Sequence, residues 1–340
     1  MLDKELGKFE QAKVQLLVSD RASALIKLGK SDYLAAFSMP DLFHFMQDIS
    51  RAVGAKLHLQ LDKAYKQAAK EGLTKSEKEK LTEIIAIKEE NCVNYNGYKE
   101  AINHLVHPFD KADKLIQTEE VENGLNQLFT KIRGVAKTSS IDISIEKGRK
   151  IINQIPDIAK GIGTWQNWLE EEVKLLDLSE SKKNWLLEEV LPYAYWQVHL
   201  GKVSGRKRDK DLRVYYKNRA EVAEQRFQQA SLTSQLTPAV KEEYVNWAFQ
   251  MAATFHRASS QVEGRNGYLS FVHRAHKGIR EQRQEVLTVV HNFDIRRADG
   301  KTPAQRLFKR DFPSIFDFIL ENVTDFPSPR SRKNKYSASN

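Results

Sequence analysis

Cysteine is nearly absent from this chain: Cys92 is the only one in 340 residues. A single thiol excludes an internal disulfide framework and a cysteine-based zinc site. No apolar run approaches the ~18 residues of a membrane span, and the opening stretch MLDKELGKFEQAK has no apolar signal core. A cytoplasmic protein with no membrane partner is expected. Neither G-x-S-x-G nor a glycine-rich phosphate loop occurs, which disfavours serine-hydrolase and nucleotide-driven chemistry. Cys92 lies in a polar helical pattern with no oxyanion motif beside it. Internal repeats and long low-complexity tracts are missing as well.

What the chain does have is ample apolar content and an excess of positive charge. Hydrophobic residues make up 41%, enough for a buried core. Lys and Arg number 54 against 45 Asp and Glu, giving +9 and a pI near 9.3. That balance favours a polyanionic partner, nucleic acid before membrane. The length suggests two domains, with one large domain as the other possibility.

In chain order, residues 1–13 read as a short polar helix. Val14 to Val18 (VQLLV) is a strand-length apolar run that stops at Ser19-Asp20. Ala22 to Leu28 is helix-like, and Tyr33 to Phe37 (YLAAF) is a second short apolar run before Pro40. Strand, helix and strand with short links is the grammar of a parallel α/β unit. Asp20 then falls at the carboxyl end of a buried strand, where open α/β sheets place their chemistry; a plain helix N-cap is the competing reading. A helix opens behind Pro40 and Asp41, with His44 in an apolar cluster of Leu42, Phe43, Phe45 and Met46. From about 55 to 255 the pattern is almost wholly helical. Lys56–Lys70 and Lys75–His107 form an expected antiparallel pair broken at Glu71-Gly72-Leu73-Thr74. Trp165, Trp168, Trp185, Tyr193, Tyr195 and Trp196 are read as packing helix on helix.

Gly201 to Arg219 concentrates Lys and Arg beside Tyr215 and Tyr216. It is either a phosphate-tracking patch centred on Arg206, Lys207 and Arg208 or a solvated surface loop. Further on, ASSQVEGRNGYLSFVHRAHKGI (258–279) sets Glu263 among Ser259, Ser260, Arg265, Asn266, Arg274 and Lys277. In helical geometry Glu263 and Asn266 share a face, with the two serines one turn earlier. A carboxylate in a basic, hydroxyl-rich turn suits a metal ion that meets a phosphate backbone; an exposed ion pair is the plainer alternative.

Five blocks in order, LLVSDRASALIKL (16–28), SMPDLFHFMQDI (38–49), LPYAYWQVHL (191–200), the 258–279 stretch and VVHNFDIRRADGKTPAQRLF (289–308), resemble a bacterial insertion-sequence transposase. The type is the DDE family, with a ribonuclease-H-like catalytic core and a helical insertion before the last acid. The resemblance implies that Asp20 is the second acid of the triad and Glu263 the third, both binding Mg²⁺ (or Mn²⁺). It implies that Arg265 and Asn266 orient the carboxylate or meet phosphate, that Arg257, Arg274 and Lys277 contact the DNA backbone, and that His44 lies near the site. Two divalent ions ~3.5–4 Å apart serve such chemistry, one activating the nucleophile and one the leaving oxygen.

One departure is large. In the family the first Asp ends the first core strand, whereas here the acids before Asp20 are Asp3, Glu5 and Glu10, in a helical pattern. The expectation is therefore a carboxyl-terminal transposase portion lacking three strands and the first catalytic Asp, inactive alone and binding the divalent ion of the intact family weakly or not at all. The expected fold is mainly α: an incomplete ribonuclease-H-like α/β core, two parallel strands retained, interrupted by a large all-helical insertion. Its parts are 1–58 and 236–325 for the core, 59–235 for the insertion and 326–340 for a disordered basic tail. Expected partners are DNA (transposon ends and target), a second copy or a full-length transposase, in a nucleoid-associated setting. The other class of function is a non-enzymatic helical DNA-binding or scaffolding protein.

Overall fold

The computed structural model describes residues 15–19, 26–27, 30, 36–203, 210–255, 271, 274, 278, 280–296, 300–308 and 310–322. They fall into two compact units, within residues 13–260 and within 261–340. The described residues are mostly helical, with two parallel strands among them. Among the described residues no helix is long and apolar enough to cross a membrane.

The first unit starts with β1 (Leu16–Ser19) and β2 (Phe37–Pro40), paired in parallel with Leu16 opposite Phe37 and Ser19 opposite Pro40. The second strand begins where the apolar run Tyr33–Phe37 was expected to end. Phe37 N–H donates to Gln15 O at 2.9 Å and Asp41 N–H to Ser19 O at 2.7 Å. By the alternation of a parallel ladder, Pro40 points its missing N–H away from β1, so it ends the strand without breaking a rung.

Helix α1 (Leu42–Ile49) follows at once and runs through a π-helical turn, Ser50–Gly54, into α2 (Ala55–Ala68). Gly54 is required there, because a Cβ would lie 2.5 Å from the Tyr95 hydroxyl that donates to Ser50 Oγ. Helix α3 (Lys75–Leu105) opens on a capping box: Thr74 N–H donates to Glu77 Oε2 at 2.8 Å, and Glu77 N–H donates to Thr74 Oγ1 at 3.3 Å. These bonds hold the Glu77 carboxyl below its usual range. Helix α4 (Thr118–Thr138) runs back along α3. After α5 (Ile145–Ile152) comes α6 (Ile155–Lys174), which lies across the strands. Then follow α7 (Glu180–Trp185), a second π-helical turn (Leu186–Val190), α8 (Leu191–Lys202), α9 (Lys210–Gln229), α10 (Ser231–Gln235) and α11 (Pro238–Thr254).

One apolar cluster runs from Met39 to Phe255, so the helices over 59–235 share their core with residues on both sides. Trp165, Trp185 and Trp196 are buried in it as the sequence predicts, and each finds a partner for its indole N–H in Thr254, Thr233 or Asp113. The second unit contributes α12 (Glu281–Phe293), α13 (Pro303–Phe308) and α14 (Ile315–Asn322). Phe293 meets Phe312 edge-on at 5.1 Å, and Thr302 and Gln305 cap α13 reciprocally.

The approach of α6 to β2 depends on Gly161, where a Cβ would lie 2.5 Å from Met39 Sδ. Gly161→Ala is expected to cost about 1–3 kcal/mol by overpacking. Gly97→Ala, at a helical position with nothing within 4 Å, should instead gain up to about 1 kcal/mol from helix propensity. Denaturant unfolding of the two variants checks the opposite signs.

Candidate functional site

Because β1 and β2 are parallel and in register, their carboxyl ends lie side by side. Asp41 stands there, its side chain 0% exposed, and its backbone N–H fastens β2 to Ser19. Its Oδ1 accepts from Phe43 N–H at 2.7 Å and His44 N–H at 3.4 Å, which caps α1. Its Oδ2 is 3.5 Å from His44 Nδ1, and the half-buried His44 ring stands edge-on to Phe43. A carboxylate at a helix N-terminus is favoured by the amides it accepts from and by the helix dipole. Ser19 and Ser38 are also buried here. Asp20 is the next residue in the sequence after β1.

Most residues singled out from the sequence lie outside the described ones: Asp20, Arg206, Lys207, Arg208, Arg257, Glu263, Arg265, Asn266 and Lys277. Arg274 is helical and exposed. His44 sits at the strand ends, beside Asp41, a carboxylate the sequence suggested only as part of a helix start. Among the described residues no group of three or more His, Cys, Asp or Glu side chains is arranged to hold a metal ion.

The basic segment 201–219 divides once its described part is seen. Lys210, Arg213 and Lys217 are exposed on α9. Tyr216 is buried, Tyr215 stacks on His104 at 3.8 Å, and Arg219 turns inward. The two tyrosines are therefore packing residues and not platforms for bases. Helical periodicity decides this: Tyr216, Ala220, Ala223 and Phe227 form the inner stripe of α9, and composition alone does not reveal it.

Arg219 ends at a buried polar node that the sequence did not announce. Asp113, in the turn between α3 and α4, is 1% exposed and adopts φ 62°, a left-handed conformation that Asp tolerates. Arg219 and Arg226, two turns apart on α9, both reach its carboxylate, and Trp196 Nε1 donates to it at 2.7 Å. The same arginines donate to the Asp110, Lys111 and Ala112 carbonyls, and Gln166 Nε2 donates to those of Pro108 and Ile116. Beside the node His107 is fully buried, with Nδ1 2.6 Å from the Tyr195 hydroxyl and Nε2 3.3 Å from that of Tyr216. The arrangement clamps α8 and α9 onto the 106–117 turn. A lysine-flanked Asp between helices carries no sequence signal for this.

Residues 186–335 match the model of a family of unknown function, DUF6399. No curated protein and no solved structure matches the chain.

Substitutions at the two carboxylates separate these roles. Asp113→Ala should cost about 3–5 kcal/mol, because it leaves two guanidinium groups facing a site built for an anion. Asp41→Ala should cost about 1 kcal/mol for the lost cap, and Asp41→Asn almost nothing, since an amide oxygen still accepts. Urea unfolding followed by tryptophan fluorescence reads both.

Proposed function

We propose that this chain is the carboxyl-terminal part of an insertion-sequence DDE transposase acting on DNA, with a ribonuclease-H-like core whose Asp20 and Glu263 hold Mg²⁺ or Mn²⁺. What supports the reading most is the parallel pair β1–β2 leading directly into α1, with Asp20 following β1 in the sequence. Acids placed after strand ends are where open α/β sheets carry chemistry. Carboxylate oxygens suit a hard divalent ion, and a bound ion polarises a phosphodiester oxygen. The chain's own part is to bring the two carboxylates to the DNA backbone and to hold that backbone with arginine and lysine. Arg206, Lys207 and Arg208, together with Arg257, Arg265, Asn266, Arg274 and Lys277, are assigned to the DNA, and His44 to the surroundings of the metal.

Metal binding is tested without turnover. At tenfold excess over its dissociation constant, Mn²⁺ should stabilise the protein by about 1.4 kcal/mol. The gain should vanish in Asp20→Asn and in Glu263→Gln; an equal gain in wild type and both variants sinks the assignment. DNA contact is read separately. Reversing Arg206, Lys207 and Arg208 to Glu should weaken binding and flatten the slope of log affinity against log salt by about 2–3. An unchanged slope removes that loop from the interface.

A further inference from the structure

Helix α9 keeps two kinds of cation apart. Arg219 and Arg226 lie on the flank that faces the 106–117 turn, where both reach Asp113. Lys210, Arg213 and Lys217 are exposed. At about 100° per residue they fall on the other flank of the inner stripe formed by Tyr216, Ala220, Ala223 and Phe227. Their placement does not serve the helix. Lys210 and Arg213 stand in its first turn, where the dipole disfavours a cation. Lys217 has Glu221 at 3.6 Å, an exposed i, i+4 pair in the weaker order. Asp211, the acid of the first turn, lies on a different side of the helix.

Past Lys217 the same flank turns acidic, with Glu221 and Glu224 both exposed. The outward surface is thus three cations along about 10 Å, closed by two carboxylates. One strand of a duplex carries a phosphate per ~3.4 Å of axis, so this length meets about three phosphates. The acids beyond repel the next one, which makes a backbone cross α9 rather than follow it to Gln229. Between Lys210 and Lys217, Val214 is the one exposed apolar side chain. A membrane surface or a partner helix needs a broader apolar face than that. Tyr215 and Tyr216 are turned inward, so the surface has no platform for a base.

We propose that the first two turns of α9 form a sequence-independent contact for the phosphate backbone of DNA, with Glu221 and Glu224 as its boundary. The contact rests on the reading of the chain as DNA-binding, is separate from Arg206, Lys207 and Arg208, and needs no metal.

Fluorescence anisotropy of the full chain with a labelled duplex of random sequence, read across a salt series, tests it. Lys210→Ala, Arg213→Ala and Lys217→Ala should each lower the slope of log affinity against log salt by about 1, for every duplex sequence alike. Glu221→Gln releases Lys217 and should tighten binding up to about fivefold. Lys66→Ala removes the same charge from an exposed lysine on α2 and should leave the slope as it is. All five side chains are exposed, so the melting temperatures should not fall. Slopes unchanged by the three α9 substitutions overturn the proposal; if reversal of Arg206, Lys207 and Arg208 still flattens the slope, the DNA reading stands without it. A Lys66→Ala effect as large as theirs also overturns it, because net charge then explains the change. So does a chain that needs these cations for anionic vesicles and not for the duplex. A wild type without affinity for duplex DNA overturns both this contact and the reading beneath it.

Discussion

A buried carboxylate fixes how α8 and α9 meet the turn that joins α3 to α4. Asp113 is out of water, and its charge needs fixed donors: Arg219, Arg226 and the Trp196 indole supply them. Since the two arginines are seven residues apart on one face, meeting a single carboxylate sets both the rotation of α9 and its position along its own axis. Arg226 reaches further, to Glu189 and to the Glu188 carbonyl in the π-helical turn before α8. The node thus ties together the 106–117 turn, the start of α8 and the length of α9. Cation–π contact between Arg219 and Trp196, at 4.7 Å, adds to it.

Much of this architecture is legible in the chain itself. The breaker Glu71-Gly72-Leu73-Thr74 and the pair Thr74/Glu77 announce the hairpin of α2 and α3, because a capping box is a local interaction that needs no tertiary help. The tryptophans announce a helical core through their size. The second strand is displaced from Tyr33–Phe37 to Phe37–Pro40, since a short apolar run does not fix its own register and the pairing partner does.

Long-range polar contacts are the part that sequence leaves dark. Asp113 and His107 owe their roles to Arg219, Tyr195 and Tyr216, which are remote in the chain and adjacent only after folding. Tyr215 and Tyr216 mislead in the opposite direction, because their neighbours in sequence are cations while their neighbours in space are aromatic rings. Asp41 was visible as a helix start. Its position at the strand ends follows only from the parallel register, which brings Ser19 beside Pro40.

The proline that closes β2 gives the small sheet a direction. On the flank away from β1, the last residue offers a carbonyl and a ring where a neighbouring backbone would look for a donor. Lateral extension on that flank would be short of a hydrogen bond at its most carboxyl-terminal rung. The opposite flank, formed by Leu16 and Val18, has both donors and acceptors along its backbone. Any growth of the sheet is therefore biased to the β1 side, and the strand ends bearing Asp41 stay near its margin.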